Sequence, residues 1–274
     1  MTAGAAAARI DTLLLVGCGK MGAALLRGWL GRGLARRYVV IEPGPGGQGF
    51  ADRVEVTLAP SLDDAGEVVP DIIVLAVKPQ IMADILPGYR RFAGVPVLSI
   101  AAGKTLGFFA RTLGADAAVI RAMPNTPAAI GRGIAVACAN PSVTASERAL
   151  AERLLAAVGE VAWVEDETLL DAVTAVSGSG PAYVFLLIEC LARAGRVMGL
   201  PEALADRLAL ATVAGAGELA RHAHEAPATL RENVTSPGGT TRAALDVLMA
   251  PDGLEPLLIR AVRAATQRSR TLAD

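Results

Sequence analysis

Aromatic rings are few in this chain: five Phe, three Tyr and two Trp among 274 residues. A core without bulky rings has to close by near contact of small residues, and the 29 glycines meet that demand. Cysteine is also scarce, and Cys18, Cys138 and Cys190 are widely spaced and odd in number. That spacing excludes a disulfide framework and a clustered metal site, and it suits a reducing cytoplasm. Excess charge is absent: 26 basic side chains face 27 acidic ones, for a formal net charge of -1. A surface built for nucleic acid or an anionic membrane needs a clear basic excess, so neither is an expected partner. No long apolar run is left unbroken. The longest uncharged stretch, between Asp171 and Glu189, is interrupted by Ser177-Gly178-Ser179-Gly180-Pro181 and falls short of a bilayer span. The opening Met1 to Ala8 has neither the basic start nor the apolar centre of a secretory signal and reads as a frayed tail.

What the chain does have is alternation. Thr12-Leu13-Leu14-Leu15-Val16 is a short apolar run ending at glycine, the pattern of a strand buried on both faces of a parallel sheet. A helix over about 20–32, closed by Gly33, follows it. Further strands are expected at 38–41, 54–56, 71–77, 95–100, 117–121, 133–138 and 160–164, with helices near 61–66, 80–92, 105–113 and 144–158. Strand alternating with helix gives a doubly wound parallel α/β sheet. After Glu165 the strand signals stop. Helix then follows helix: one over 183–198 ended by Gly199, one opened by Pro201, and a last one from Leu254. The expected division is therefore 1–165 for the sheet domain and 166–274 for an all-helical one. Within the latter, the helix from Pro181 to Met198 carries Val184, Phe185, Leu186, Leu187, Ile188, Leu191 and Val197 around most of its circumference. Such a helix must be buried on every side. A helical domain of about 110 residues is too small to enclose it alone, so a second copy of the chain is the expected cover.

Chemistry concentrates in a few clusters. Gly17-Cys18-Gly19-Lys20-Met21-Gly22 fits the G-x-G-x-x-G fingerprint, follows the first strand, opens a helix and is followed by Glu42 at the end of the second strand. Gly17 permits the tight turn, Gly19 lets backbone approach a pyrophosphate, and Gly22 lets helix pack on strand. Glu42 is then placed to accept hydrogen bonds from an adenosine ribose. A plain tight strand-to-helix turn is the other reading. Residues 71–77 deliver Lys78-Pro79-Gln80 to the carboxyl end of a parallel strand, where open α/β sheets bind ligands, although Lys78 alone also fits a solvated loop charge. Met123-Pro124-Asn125-Thr126-Pro127 is a rigid polar loop, or simple proline punctuation. Ser236-Pro237-Gly238-Gly239-Thr240-Thr241 precedes an amphipathic helix containing Ala244, Leu245 and Leu248. Small residues at a helix start expose N–H groups, and two threonine hydroxyls add donors suited to a carboxylate. An ordinary N-cap is the alternative.

Taken in order with Ala76-Val77-Lys78-Pro79-Gln80, Arg121-Ala122 before Met123 to Pro127, and Val176 to Tyr183, these clusters resemble the pyrroline-5-carboxylate reductases over about residues 12–270. The resemblance implies a Rossmann domain and a helical dimerisation domain that interlocks with its partner, with the active site near the dimer interface and the dimers assembling further. It implies hydride transfer from NAD(P)H to 1-pyrroline-5-carboxylate, giving L-proline in the last step of proline biosynthesis. By position, Gly17, Cys18, Gly19, Lys20, Met21, Gly22, Ala76, Val77, Lys78, Pro79, Ile100, Ala101, Ala102 and Asn233 correspond to cofactor contacts. Glu167, Thr240 and Thr241 correspond to substrate contacts, with Ser236 and Gly239 in the carboxylate loop. Thr241 is the candidate catalytic residue, through a hydrogen bond near the imine nitrogen, and Glu167 the candidate to orient that nitrogen, with a plain exposed carboxylate at a helix start as its other reading.

Two departures bear on the cofactor. Pro43 to Gly49 replaces what is usually a polar helix start, and Asp63 stands about where asparagine is common. With Glu42 and Asp63 near the ribose and no Arg, Lys or Ser from Pro43 to Gln48, NADH is expected over NADPH, because two carboxylates repel a 2′-phosphate; a swing of Arg53 toward the phosphate is the other reading. The nearest rival, a 3-hydroxyacid dehydrogenase, uses a lysine on its helical domain as acid or base. Here lysine stands only at 20, 78 and 104, and His222 and His224 point to different helix faces. A nonenzymatic dinucleotide sensor needs only the glycine loop and a dimer face, whereas the loop 236–241 argues for a small anionic substrate. No metal is expected.

Overall fold

Leu13, Leu14 and Leu15 are all wholly buried, although consecutive side chains point to opposite faces of a strand. Only a sheet covered on both sides allows that. The computed structural model, which describes residues 10–272, contains such a sheet; the tail expected at Met1 to Ala8 lies outside the described residues. The sheet unit runs β1 (Ile10–Val16), α1 (Lys20–Arg32), β2 (Ala35–Ile41), β3 (Val56–Ala59), β4 (Ile72–Leu75), α2 (Met82–Ile85), β5 (Val97–Ser99), α3 (Leu106–Leu113), β6 (Val119–Met123), β7 (Gly133–Ala139), α4 (Ala145–Leu155) and β8 (Gly159–Trp163). The strands lie in the order β3-β2-β1-β4-β5-β6-β7-β8.

Two apolar layers sandwich this sheet. Leu13 and Leu15 pack with Leu25, Leu26 and Trp29 of α1 and with Leu154 and Leu155 of α4. Leu14 and Val16 pack on the other face with Met82 of α2, Leu86, Tyr89, and Phe109 of α3. Each fully buried side chain of this kind stabilises by roughly 1.5–3 kcal/mol. Trp29 Nε1 donates to the Leu154 carbonyl at 2.9 Å and ties α1 to α4. Helix α1 begins and ends where the sequence pattern puts it, with Gly33 in the left-handed region at φ 58 as its cap.

The structure corrects several details. Strand β7 pairs antiparallel with β6, and β8 follows β7 in parallel, so the sheet is mixed rather than wholly parallel. Only residues 124–132 separate β6 from β7, too few for the crossover a parallel neighbour requires. The stretch 61–66 forms turns instead of a helix: the Asp64 N–H donates to Ser61 Oγ at 3.3 Å, and Gly66 sits at φ 70. Over 80–92, Pro87 lacks the N–H a continuous helix needs, and a 3-10 turn (Pro79–Ile81), α2 and a second 3-10 segment (Leu86–Phe92) result. A further 3-10 segment, Pro45–Phe50, follows β2, and β3 lies at Val56–Ala59 rather than 54–56.

From Leu169 the described chain is helical: α5 (Leu169–Val173), a π-turn (Thr174–Gly178), α6 (Gly180–Val197), α7 (Glu202–His222), α8 (Pro227–Asn233), α9 (Thr240–Leu248) and α10 (Leu254–Leu272). By contacts the chain divides after Gly178, later than the end of the strands, and Thr266 onward joins the first unit. Helix α5 stays with the sheet because Leu170 is buried against Val136 and Cys138 of β7. In the second unit, Ser179–Ala265, only Ala192, Ala205 and Ala209 are buried. Helices α6 and α7 meet through small residues: a Cβ on Gly195 would stand 3.3 Å from that of Ala205. Phe185, Leu186, Leu187, Leu191, Leu208 and Leu210 stay exposed in the single chain.

The π-turn also corrects the expectation that no segment reaches bilayer length. It carries helical backbone to Gly178, with only Ser179 between it and α6, so that Leu169–Val197, 29 residues, is long and apolar enough to cross a membrane by length and composition only.

Candidate functional site

Beyond β1 the backbone turns through Gly17 at φ 91, where a Cβ would lie 2.8 Å from the Ala76 carbonyl oxygen. A Cβ on Gly22 would collide with the Gly17 carbonyl oxygen, whereas Gly19 faces open space. No side chain caps the start of α1. An open approach at Gly19 beside an uncapped helix N-terminus fits a pyrophosphate, because the first N–H groups and the helix dipole favour an anion there.

A cleft of about 780 Å³ opens beside this turn and brings together Gly17, Gly19, Glu42, Asp63, Ala76, Val77 and Lys78. Cys18, Lys20, Met21, Gly22 and Pro79 adjoin these residues in sequence without lining the cleft, and Ile100, Ala101 and Ala102 follow β5, one strand beyond β4. Glu42 is held firmly. Its Oε2 accepts from the Cys18 N–H at 2.7 Å and its Oε1 from the Gly44 N–H at 2.8 Å. Each oxygen keeps another lone pair for a ligand hydroxyl. Burial first, and then the neighbouring Glu42 charge, push the Cys18 thiol up to about 11, so it remains a neutral packing group.

Sequence reasoning missed the far wall of the cleft, formed by Pro60, Ser61 and Leu62 after β3 and by Ile85, Tyr89 and Arg91 after β4. Tyr89 is buried, which pushes its phenol up to about 12. Arg91 Nη2 lies 3.1 Å from Asp63 Oδ1. Ser61, Leu62, Tyr89 and Arg91 come from turns and a 3-10 segment that the sequence pattern read as helix, so their direction could not be inferred from a helical period.

Three other expected positions have definite surroundings. Glu167 Oε1 accepts from the Leu106 N–H at 2.6 Å and from the Arg121 guanidinium, whose side chain is 11% exposed. Asn125, in the proline-flanked loop, is buried and makes two ties: its amide donates to the Ser177 carbonyl at 3.1 Å and accepts from the Ile134 N–H at 2.9 Å. Its work is to join the β6–β7 connection to the π-turn. Asn233, at the end of α8, donates to Glu225 at 3.2 Å.

In the second unit, Ser236-Pro237-Gly238-Gly239 forms a tight turn. The Gly239 N–H donates to the Ser236 carbonyl at 3.1 Å, with Pro second and Gly238 third at φ 68, as a type II turn demands. A side chain on Gly239 would strike Ser236 Oγ. The turn leads into α9, whose start no side chain caps, with Thr240 exposed and Thr241 half-buried at its first positions. Donors are therefore concentrated where a small anion can sit. Among the described residues no group of three or more His, Cys, Asp or Glu is placed to hold a metal ion.

The family model described as pyrroline-5-carboxylate reductase dimerisation matches residues 167–272, and one described as NADP oxidoreductase coenzyme F420-dependent matches residues 12–103. A pyrroline-5-carboxylate reductase of Pseudomonas aeruginosa is 39% identical over 270 residues, 96% of this chain and 97% of the relative. One from Synechocystis sp. is 46% identical over 219 residues, 80% of each chain. Among solved structures, the pyrroline-5-carboxylate reductase of Coxiella burnetii superposes with a TM-score of 0.89 at 32% identity, covering 96% of this chain and 99% of the other. The Plasmodium falciparum pyrroline carboxylate reductase, solved with NADP bound, gives 0.81 at 28% identity, covering 97% and 98%. Glycine cradle, cleft and helical half thus define a nicotinamide-dependent oxidoreductase with a dimerisation region. The chain belongs to the pyrroline-5-carboxylate reductase family, oxidoreductases that reduce 1-pyrroline-5-carboxylate to proline.

Proposed function

We propose that the chain holds NADH in the cleft floored by Gly17 and Gly19, and the carboxylate of 1-pyrroline-5-carboxylate at the turn 236–239 and the start of α9. The observation that carries this reading is the uncapped start of α9 behind a tight turn whose Gly238 sits at φ 68. When bound, the reduced nicotinamide supplies the hydride, which goes to the C=N carbon. A protonated imine is already electrophilic, so the protein has mainly to orient the ring and support its nitrogen. Thr241 donates a hydrogen bond near that nitrogen, and Thr240, Ser236 and the Gly239 region bind the carboxylate. Glu167 orients the nitrogen through Oε2, since Oε1 carries both of its contacts within the protein. Gly22, Pro79 and residues 100–102 shape the cofactor site, and Asn233 contributes from α8. The division of labour is 1–165 for the cofactor and 166–274 for substrate and self-association, in a dimer that covers the apolar helices in place of a bilayer. Three free cysteines fit a reducing compartment, the cytoplasm.

Thr241→Ala is expected to lower kcat/KM for 1-pyrroline-5-carboxylate by about 10 to 100-fold, the loss for one hydrogen bond of ~1.5–3 kcal/mol to a charged group. Steady-state assays of the folded variant measure it. An unchanged kcat/KM removes Thr241 from the reaction.

The NADH assignment rests on Glu42, whose two backbone tethers hold both oxygens in place with lone pairs to spare for the ribose hydroxyls. In the unmodified protein kcat/KM should favour NADH, and Glu42→Ser should move the ratio toward NADPH by roughly 10-fold, the effect of removing one charge that repels a phosphate dianion. A wild-type preference for NADPH, or a ratio indifferent to Glu42→Ser, contradicts this assignment.

A further inference from the structure

The wall of the cleft that the sequence did not reveal carries an ion pair. Asp63 follows β3, and Arg91 lies near the end of the 3-10 segment after α2, 28 residues later. The guanidinium sits 3.1 Å from the carboxylate and lies over the Phe92 ring at 5.7 Å from its centroid. Both residues line the cleft together with Glu42, which marks the end where the ribose is assigned. Among the described residues of the lining, the charged side chains are Glu42, Asp63, Lys78 and Arg91. Lys78 follows β4 beside the glycine turn, so Arg91 is the cation on the Asp63 side.

We propose that the Asp63–Arg91 pair is a second element, beside Glu42, that sets discrimination against a 2′-phosphate, with Asp63 holding the guanidinium that such a phosphate would need. This rests on the reading of the cleft as the dinucleotide site. A guanidinium offers a planar fork that matches a carboxylate or a phosphate, and one edge of the fork serves one of them at a time. A ribose hydroxyl makes no claim on that fork, so NADH leaves the pair intact. A 2′-phosphate must draw Arg91 away and then stand near an unpaired Asp63, so the same carboxylate opposes it twice. The pair is open to such competition because both side chains are exposed, 90% for Asp63 and 49% for Arg91, and exposed ion pairs hold weakly. Packing over Phe92 keeps the released guanidinium at the rim of the cleft.

The test is a double-mutant cycle read by calorimetry on the full chain, with adenosine 2′,5′-bisphosphate and 5′-AMP as probes. Neither probe depends on turnover. Asp63→Asn is expected to tighten binding of the bisphosphate by about 10-fold, the worth of one charge-assisted contact, and to change 5′-AMP binding by less than about 2-fold. Arg91→Met should weaken the bisphosphate, and in that background the gain from Asp63→Asn should shrink to about 3-fold or less, the relief of direct repulsion alone. An equal gain from Asp63→Asn with and without Arg91 overturns the proposal, because it shows simple repulsion by Asp63 with no guanidinium involved. Unaltered bisphosphate binding in Asp63→Asn overturns it as well. If neither probe binds the unmodified protein, the dinucleotide reading of the cleft fails and takes this proposal with it; if both bind and only the cycle fails, the dinucleotide reading stands.

Discussion

Gly22→Ala is expected to give a folded chain whose affinity for NADH has fallen by at least ~100-fold. On helix propensity alone the change should stabilise by ~1 kcal/mol. The added methyl, however, meets the carbonyl oxygen of Gly17, a backbone atom that cannot rotate aside. Trp29 anchors the far end of α1 through its bond to the Leu154 carbonyl, so the adjustment falls on the start of the helix and on the glycine turn. Those are the groups assigned to the pyrophosphate. Losing alignment of two charge-assisted hydrogen bonds costs on the order of 3 kcal/mol, about 100-fold in binding. Fluorescence titration with NADH measures the affinity, and a melting curve confirms the fold. Wild-type affinity in Gly22→Ala would show that the pyrophosphate is not held at the start of α1.

Phe185→Arg is expected to convert the oligomer to monomers at low micromolar concentration and to abolish activity. The unit Ser179–Ala265 buries three alanines and none of its large side chains, while Phe185 is 59% exposed in the single chain. Eighty-odd residues with that little interior cannot offset their own conformational entropy, so the stabilising burial has to come from another copy. The dimerisation family model matches residues 167–272, the region that carries these exposed side chains. In a twofold interface each substitution counts twice. Removing a buried ring and inserting a charge at ~3 kcal/mol per copy weakens association by roughly 10,000-fold. Sedimentation velocity across a concentration series, alongside the reductase assay, reports the outcome. A stable, active Phe185→Arg oligomer would mean that this face of α6 looks into solvent in the assembly.

Local chemistry was enough to read β1, the glycine turn, α1 and its Gly33 cap from the sequence, because strand burial, turn geometry and helix capping depend on residues close together in the chain. The helix that follows Ser236 to Gly239 was legible for the same reason, whereas the type II turn and the missing cap on α9 were not. The apolar circumference of α6 was legible too, since a helix displays its own pattern whatever it packs against.

Tertiary structure decided the rest. The antiparallel β7 follows from the shortness of the link 124–132, which decides direction only once β6 and β7 are known to be neighbours. Whether Ser177 to Pro181 breaks a helix or rides through it as a π-turn depends on bonds such as Asn125 to Ser177, 52 residues apart in the chain. Glu42 was visible as an acid at a strand end, but its two backbone tethers were not, because one partner is in the glycine turn 24 residues earlier. Arg91 gave no signal at all. Its partner Asp63 lies 28 residues away, and the segment between turns at Gly66, crosses the sheet as β4 and bends at Pro87 before returning to the cleft. Spacing along the chain encodes contacts made within one turn or one strand; a contact closed through several elements is set by the packing of the sheet layers, which fixes where each loop ends.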